Sequence, residues 1–509
     1  MRAIIFLLLI CYTLIFPEKL QAQESQIEIV QAEALAGGII NGVEVRILRR
    51  NVIVRHQGMT LYCDSAYQYL KENNIDAFGR SRLINSDGAT VTSNKMFYEG
   101  NVRMAKAIGD VVVTDEGKTL YTEELDYDLN GKLIYYSTGG KIVDAENLLT
   151  SQTGTYDVNS KIYYFTQNVV LQSLKDGDRL ETNNLQYNSV TGISYFQGPS
   201  KITTKDGAVL YSDNGTYNTR TKESNFRGRP RIEDDKYILS GDSLYYDDQK
   251  KIGVALGNVR LTAKLDSVII DGDVGRFWNR EGISKVYGNA IMRQIAEKDT
   301  LYLTADTLLS INNENTKLLK AYYKTRIYRK DLQAICDSLV YNRRDSVIQF
   351  FRDPVVWSKG NQMTADSIDI ALANNKIHKM YLKNKSFVIS QDTVLNFNQL
   401  KGKYITAHFN QSNQIQRIDV KGNGESIYFV LEEGDTTLLG MNRAICTDMY
   451  FLFKEDNKLE IINYITKPDA EMIPPHELQE PQKKIKGFVW RKEERPSKEE
   501  MLRRRLLIF

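Results

Sequence analysis

Side chains able to do covalent or metal chemistry are few in this 509-residue chain, and they share no spacing. The four histidines, His56, His378, His408 and His476, are scattered without metal-ligand separations, and none recurs with any pattern. There is no G-x-S-x-G elbow, phosphate loop or Cys-x-x-Cys pair. Beyond the first 22 residues the cysteines are Cys63, Cys336 and Cys446, odd in number and far apart. Two of them stand where Thr122 and Ser151 stand in equivalent stretches, which reads as small residues filling a tight interior corner and predicts no disulfide. The expectation is a protein with no catalytic residues, no metal and no cofactor, and therefore not an enzyme.

The residues that do recur are apolar and aromatic. Lys118 to Glu146 contains a frame L-x-T-x-x-L-x-Y at Leu120, Thr122, Leu125 and Tyr127, then a polar turn at Asn130-Gly131 and a returning run at Leu133 to Tyr136. The frame returns about every 30 residues, for example at Leu149 to Tyr156, Leu180 to Tyr187, Leu210 to Tyr217 and Leu239 to Tyr246. A period of this size means a stacked array in which each unit buries its face on its neighbours.

Positions one and three of the frame share a strand face, as do six and eight, but the step from three to six is odd. A bend or bulge between them restores one interior face. Polar pairs in that gap, such as Asp64-Ser65, Asp242-Ser243, Asp337-Ser338 and Asp366-Ser367, fit a corner where they bond the freed backbone locally. Asp-Gly turns at 87–88, 176–177 and 206–207 join antiparallel neighbours and argue against a parallel β-helix. Gly-Asn-hydrophobic steps at Gly100, Gly257 and Gly288 are read as relaxing a second bend. The expected fold is all-β, an elongated antiparallel jellyroll of two facing sheets.

In such a stack Leu120, Leu125, Leu180, Leu185, Leu239 and Leu244 face inward, and inward glycines (Gly154, Gly215, Gly275) leave room beside them. Two readings stay open. The interior is ordinary packed core, as in a structural or adhesive envelope protein, or it is an apolar groove for acyl chains. In the second, Leu120, Leu125, Tyr127, Leu180, Leu185, Tyr187, Leu239, Leu244 and Tyr246 line the groove, with phenol tips toward its wetter mouth.

Lysine plus arginine is 67 and aspartate plus glutamate 64, a balance that gives no reason to expect nucleic acid. Arg2, the apolar run Ala3 to Phe16 and the small-residue site at Leu20-Gln21-Ala22 predict a cleaved secretory signal over residues 1–22. The repetitive body spans 23–467. Residues 468–509 hold five of the nine prolines and a dense charge run, which predicts a flexible tail with at most a short helix after Ser497.

The units at 51–70, 149–171 and 239–263, with their G-N-V step and following D-x-x-x-Y frame, resemble the OstA-like, or LptA-like, repeats of lipopolysaccharide transport. That resemblance covers roughly residues 27–465. It implies a taco-like jellyroll in the periplasm that carries the lipid A part of lipopolysaccharide from the inner to the outer membrane. It also implies transport partners of the same fold at the two membranes. Open sheet edges, expected at Ile27 to Ile29, Val43 to Ile47 and Leu459 to Ile465, are the expected docking sites and also allow end-to-end self-association.

Overall fold

The computed structural model describes residues 25–506, except 87, 266, 297–298, 375, 433–436 and 455–458. The expected signal sequence lies outside the described residues. Two compact units are formed, one ending at Phe196 and one beginning at Gln197, with the division inside the strand Ile193–Thr203.

Within each unit the strands pair antiparallel with near neighbours in sequence, as the turn chemistry predicts, and some consecutive strands, such as Leu133–Tyr136 and Gly140–Val143, lie end to end on one common neighbour. In the first, Met104–Asp115 turns through Glu116 and Gly117, both at positive φ, and runs back as Lys118–Asp128 with Asp115 opposite Lys118. The opposite strand ends close with side chains that the sequence reading overlooked. The Asp or Asn after several frame tyrosines accepts the N–H groups two and three residues on. Asp128 Oδ1 does so at 2.9 and 2.8 Å, and Asp157, Asn188 and Asn218 repeat the arrangement. These Asx turns end one strand and start the next.

The odd step is real. In Met59–Tyr69 the buried residues include Leu61, Cys63, Ala66 and Gln68, frame positions one, three, six and eight. The extra residue, however, lies on the neighbouring strands. Between Arg49 and Val52 the register gains one residue over Cys63 to Ser65, and Phe78 to Ser81 and Leu256 to Val259 do the same against their partners. Each bulge carries two successive residues at positive φ, among them Arg50-Asn51, Gly79-Arg80, Gly109-Asp110, Gly257-Asn258, Gly288-Asn289 and Lys385 after Asn384. Two left-handed residues turn the chain and keep one face inward on both sides of the turn.

Several corner carboxylates do not bond locally as expected but reach across to the bulge, while Asp306 accepts from the adjacent Thr307 hydroxyl at 3.1 Å. Asp64 takes Arg80, Asp242 takes Asn258 Nδ2 at 3.0 Å, Asp273 takes Asn289 Nδ2 at 3.0 Å and Asp366 takes Lys385. The carbonyl freed by the bend is bonded instead by the small residue at position three. Ser93 donates to Lys95 O, Ser151 to Thr153 O, Ser212 to Asn214 O and Cys446 to Asp448 O. Gly257 and Gly288 sit in such bulges, but Gly100 does not: it closes a strand end against the Asn73 carbonyl.

Strands Glu28–Gln31 and Ala34–Ile40 both pair with Val43–His56, which also pairs with Met59–Tyr69. Val43 to Ile47 is thus covered by Ala34–Ile40, and the outer strands of this sheet in the first unit are Glu28–Gln31 and Ala34–Ile40, with Leu35 and Ile39 exposed. In the second unit, Leu459–Ile465 pairs with Leu438–Phe453 alone among the described residues.

The segment after 467, expected to be flexible, is packed along the second unit. Asp469–Ile473 pairs with Met441 to Ile445, and Ile485 is buried among Phe387, Ile389 and Phe429. Gln399 bonds the Ile485 N–H (2.9 Å) and the Lys483 carbonyl (2.8 Å). Gln362 bonds the Arg491 N–H and the Val489 carbonyl, both at 2.7 Å. The helix Lys498–Leu506, capped by Ser497, seats the buried Met501 on Ile291 and Tyr302. Charge and proline counts miss these anchors because the buried Ile473, Ile485 and Met501, with two amides holding backbone, suffice to order a strap on a preformed surface.

Two outcomes test this account. Gly288→Ala places a Cβ at φ +72° and 2.6 Å from Asp273 Oδ2, whereas Gly253→Ala meets nothing nearer than 3.7 Å. Denaturant titration should show the first losing about 1–3 kcal/mol and the second less than ~1 kcal/mol. Gln399→Ala removes both partners of a buried amide clamp and should cost about 1–3 kcal/mol, with faster proteolysis within 474–500.

Candidate functional site

Register places the interior side chains in two facing rows. In the first unit one row is aliphatic: Leu61, Leu83, Val91, Val113, Leu120, Ile142, Leu149, Leu171 and Leu180 lie side by side on successive strands. The row beyond the bend is richer in tyrosine and runs Ile75, Tyr98, Ala105, Tyr127, Ile134, Tyr156, Tyr163 and Tyr187. As far as Val113 the aliphatic row is buried. From Leu120 onward most of its members are half-buried, as are Tyr156, Tyr163 and Tyr187 opposite, while Ser151, Phe165, Val169, Thr182 and Leu185 at the bend stay buried. This section is therefore closed along its spine and open along its strand ends. A cavity of about 60 Å³ lies there, lined among others by Leu120, Ile142, Tyr156, Tyr163 and Phe165.

The second unit repeats the pattern by itself. Ile232, Leu239, Leu261 and Ile270 form a half-buried aliphatic row, with Tyr217, Tyr246 and Phe277 in the row beyond the bend. Further on the rows close into a core that includes Leu303, Leu308, Ala334, Phe350, Ile370 and Phe451.

The nine predicted lining residues fall into two groups. Leu125, Leu185 and Leu244, at 1%, 3% and 5% exposure, pack against the spine with Tyr127, whose hydroxyl accepts from Asn85 Nδ2 at 2.8 Å. Leu120, Leu180, Tyr187, Leu239 and Tyr246 are half-buried in the open sections. Gly154 and Gly275 do not make the room. A Cβ on Gly154 would stand 2.6 Å from Tyr136 Oη, whose ring fills that space, and one on Gly275 would stand 3.0 Å from the Phe277 ring. Tyr136 is pinned there by its bond to Ser151 Oγ at 2.6 Å. The half-buried positions lie toward the strand ends, away from the bend.

A model of the family described as "OstA-like protein" matches residues 24–177 and 174–242. Residues 24–242 are OstA-like. The chain is also similar to LptH, the LptA-homologous periplasmic component of the conserved lipopolysaccharide transport device from Pseudomonas aeruginosa. There the identity is 16% over 21% of this chain and 75% of that one, with a TM-score of 0.19, so the likeness is local. No curated protein matches the chain.

The OstA-like stretch contains the open section of the first unit, and its returning strands supply lining that the frame alone did not reveal. Tyr163 lies directly opposite Tyr156 and Tyr187; it stacks on Tyr156 with ring centroids 4.1 Å apart and on Phe165 at 6.1 Å. Burial pushes its phenol well above the ordinary range, so it remains a neutral O–H, within 3.4 Å of Lys118 Nζ. The signal was present in the aromatic run Ile162 to Phe165, but only strand pairing shows that it faces the same interior. No group of three or more His, Cys, Asp or Glu side chains able to hold a metal occurs among the described residues.

The three thiols occupy separate bends and are buried and unpaired. Burial pushes Cys63 and Cys336 up to about 12. At pH 8 both should stay as thiols and react with an aromatic disulfide reagent only after denaturant is added; rapid labelling of the folded protein would contradict the packed corner.

Proposed function

We propose that the chain is a periplasmic carrier that holds the acyl chains of lipopolysaccharide in its interior and passes the lipid between inner- and outer-membrane partners of the same fold. One observation carries this reading. Rows of inward leucine and isoleucine are left mostly half-buried over 118–187, where Leu149 alone of the row is buried, and half-buried again over 232–277, on a spine that is otherwise packed. Apolar side chains at register-matched inward positions gain little by facing water, roughly 25 cal/mol being forgone per Å² left wet, so the arrangement favours an apolar occupant. The tyrosine row supplies flat apolar faces with polar tips, suited to a boundary between acyl chains and water.

The OstA-like match and the likeness to a lipopolysaccharide-transport component support the choice of lipid. The exposed strand Ala34–Ile40 and the edge strand Leu459–Ile465 offer unpaired backbone for partners. A structural or adhesive role stays as the second reading because the sections at 45–113 and 286–451 are packed like an ordinary core.

Mass spectrometry of an organic extract of the purified mature protein decides between the two. The carrier reading expects co-purifying lipid, and Leu180→Asp and Leu239→Asp variants that stay folded should each retain much less of it, since a carboxylate among apolar chains costs several kcal/mol if unpaired. A folded protein free of lipid after isolation from its native envelope would favour the structural role.

A further inference from the structure

The interior rows run without a break from the sealed section of the first unit into its open one, with the same residue types, so something other than lining composition closes the sealed part. What differs is a cover. Residues 25–27 lie across the sealed section, and Ile27, 4% exposed, is inserted among the core side chains of the first strands. Its backbone is gripped on both sides: the Ile27 N–H donates to Asn73 Oδ1 and its carbonyl accepts from Gln68 Nε2, each at 2.9 Å. The Ser25 carbonyl accepts from His56 Nε2 at 2.7 Å and from Asn73 Nδ2 at 3.1 Å. With Nε2 donating, His56 Nδ1 accepts the Tyr98 hydroxyl at 2.6 Å.

These three clamp residues break the pattern of the repeat. At frame position eight, where Tyr98, Tyr127, Tyr156 and Tyr187 stand, the first copy has Gln68, and His56 has no counterpart in any copy. Buried amide and imidazole groups at the end of an apolar interior are destabilising unless bonded, and all three converge on the backbone of two residues.

We propose that residues 25–29 are a built-in plug: this segment occupies the first section of the groove in the place that an acyl chain takes further along, so that ligand is admitted to the open section and stopped short of the N-terminal strands. The inference rests on the carrier reading above and adds a boundary to it. It makes the N-terminal end a gate that must be displaced before lipid can enter or leave there.

The test uses the full mature chain and palmitic acid bearing a diazirine and an alkyne, photolysed in solution, with labelled peptides located by mass spectrometry. Label is expected on strands holding Leu120, Tyr156, Leu171 and Leu180, and not on Met59–Tyr69 or Thr90–Glu99. In Gln68→Ala/Asn73→Ala, and separately in a chain lacking residues 25–29, label on those two strands should rise about tenfold, the shift that losing ~1.4 kcal/mol of clamp bonding gives. Near-UV circular dichroism reports whether each variant keeps its packing. Strong label on Met59–Tyr69 in the unaltered protein, or no rise in both variants while folded, overturns the plug and leaves the carrier reading intact. Absence of label everywhere in the folded protein overturns the carrier reading and the plug with it.

Discussion

The structure depends on one backbone constraint: a long strand must change direction at mid-length and still present the same face to the interior. An ordinary strand cannot do so across an odd step, because side chains alternate. Here the alternation is reset by left-handed residues, in most bends a successive pair, on alternate strands, opposite a small residue and a carboxylate on the neighbours. Each component has a separate task. The pair supplies the turn, the serine, threonine or cysteine at position three bonds the freed carbonyl, and the aspartate holds the bulge from outside. Glycine recurs at the first left-handed position because a Cβ there meets the aspartate as well as an unfavourable φ.

Once every strand bends at the same register, the interior organises itself. Residues near the bend are enclosed by both halves of the strand and by the neighbouring spine, which is why Leu125, Leu185 and Leu244 are buried whatever happens at the strand ends. Residues two or three positions farther out are buried only if something covers them. In the first section that cover is the chain's own N-terminal stretch; over 118–187 the strand ends remain half-exposed. Burial therefore follows distance from the bend, and the capacity to hold a ligand is confined to strand ends.

The C-terminal strap shows the same economy on the outer surface. Gln362 and Gln399 each stand one residue before an inward residue, Met363 and Leu400, so they point away from the interior and meet the backbone of the returning segment. A side-chain amide that donates and accepts at once can hold any extended chain, whatever its sequence, which lets a proline-rich and highly charged segment dock with few specific side chains.

What the sequence determined by itself is what repeats. A period near 30, an odd internal step, aspartate-glycine turns and inward leucines suffice for an antiparallel, bent, two-row jellyroll, because each is a local constraint enforced again in every copy. The frame alone pointed all nine lining residues inward without telling them apart; that Leu120, Leu180, Tyr187, Leu239 and Tyr246 are half-buried and the other four buried is decided by the structure. Tertiary structure decided what occurs once or lies on a partner strand. The bulge sits on the strand next to the frame, Tyr163 faces the interior only through its pairing with Tyr156 and Tyr187, and Tyr136 fills the space that Gly154 seemed to leave. His56, Gln68 and Asn73 acquire a purpose only when residues 25–27 fold across them. Long-range contacts of this kind leave no periodic trace, because nothing in the neighbouring residues specifies which distant segment will satisfy a buried polar group.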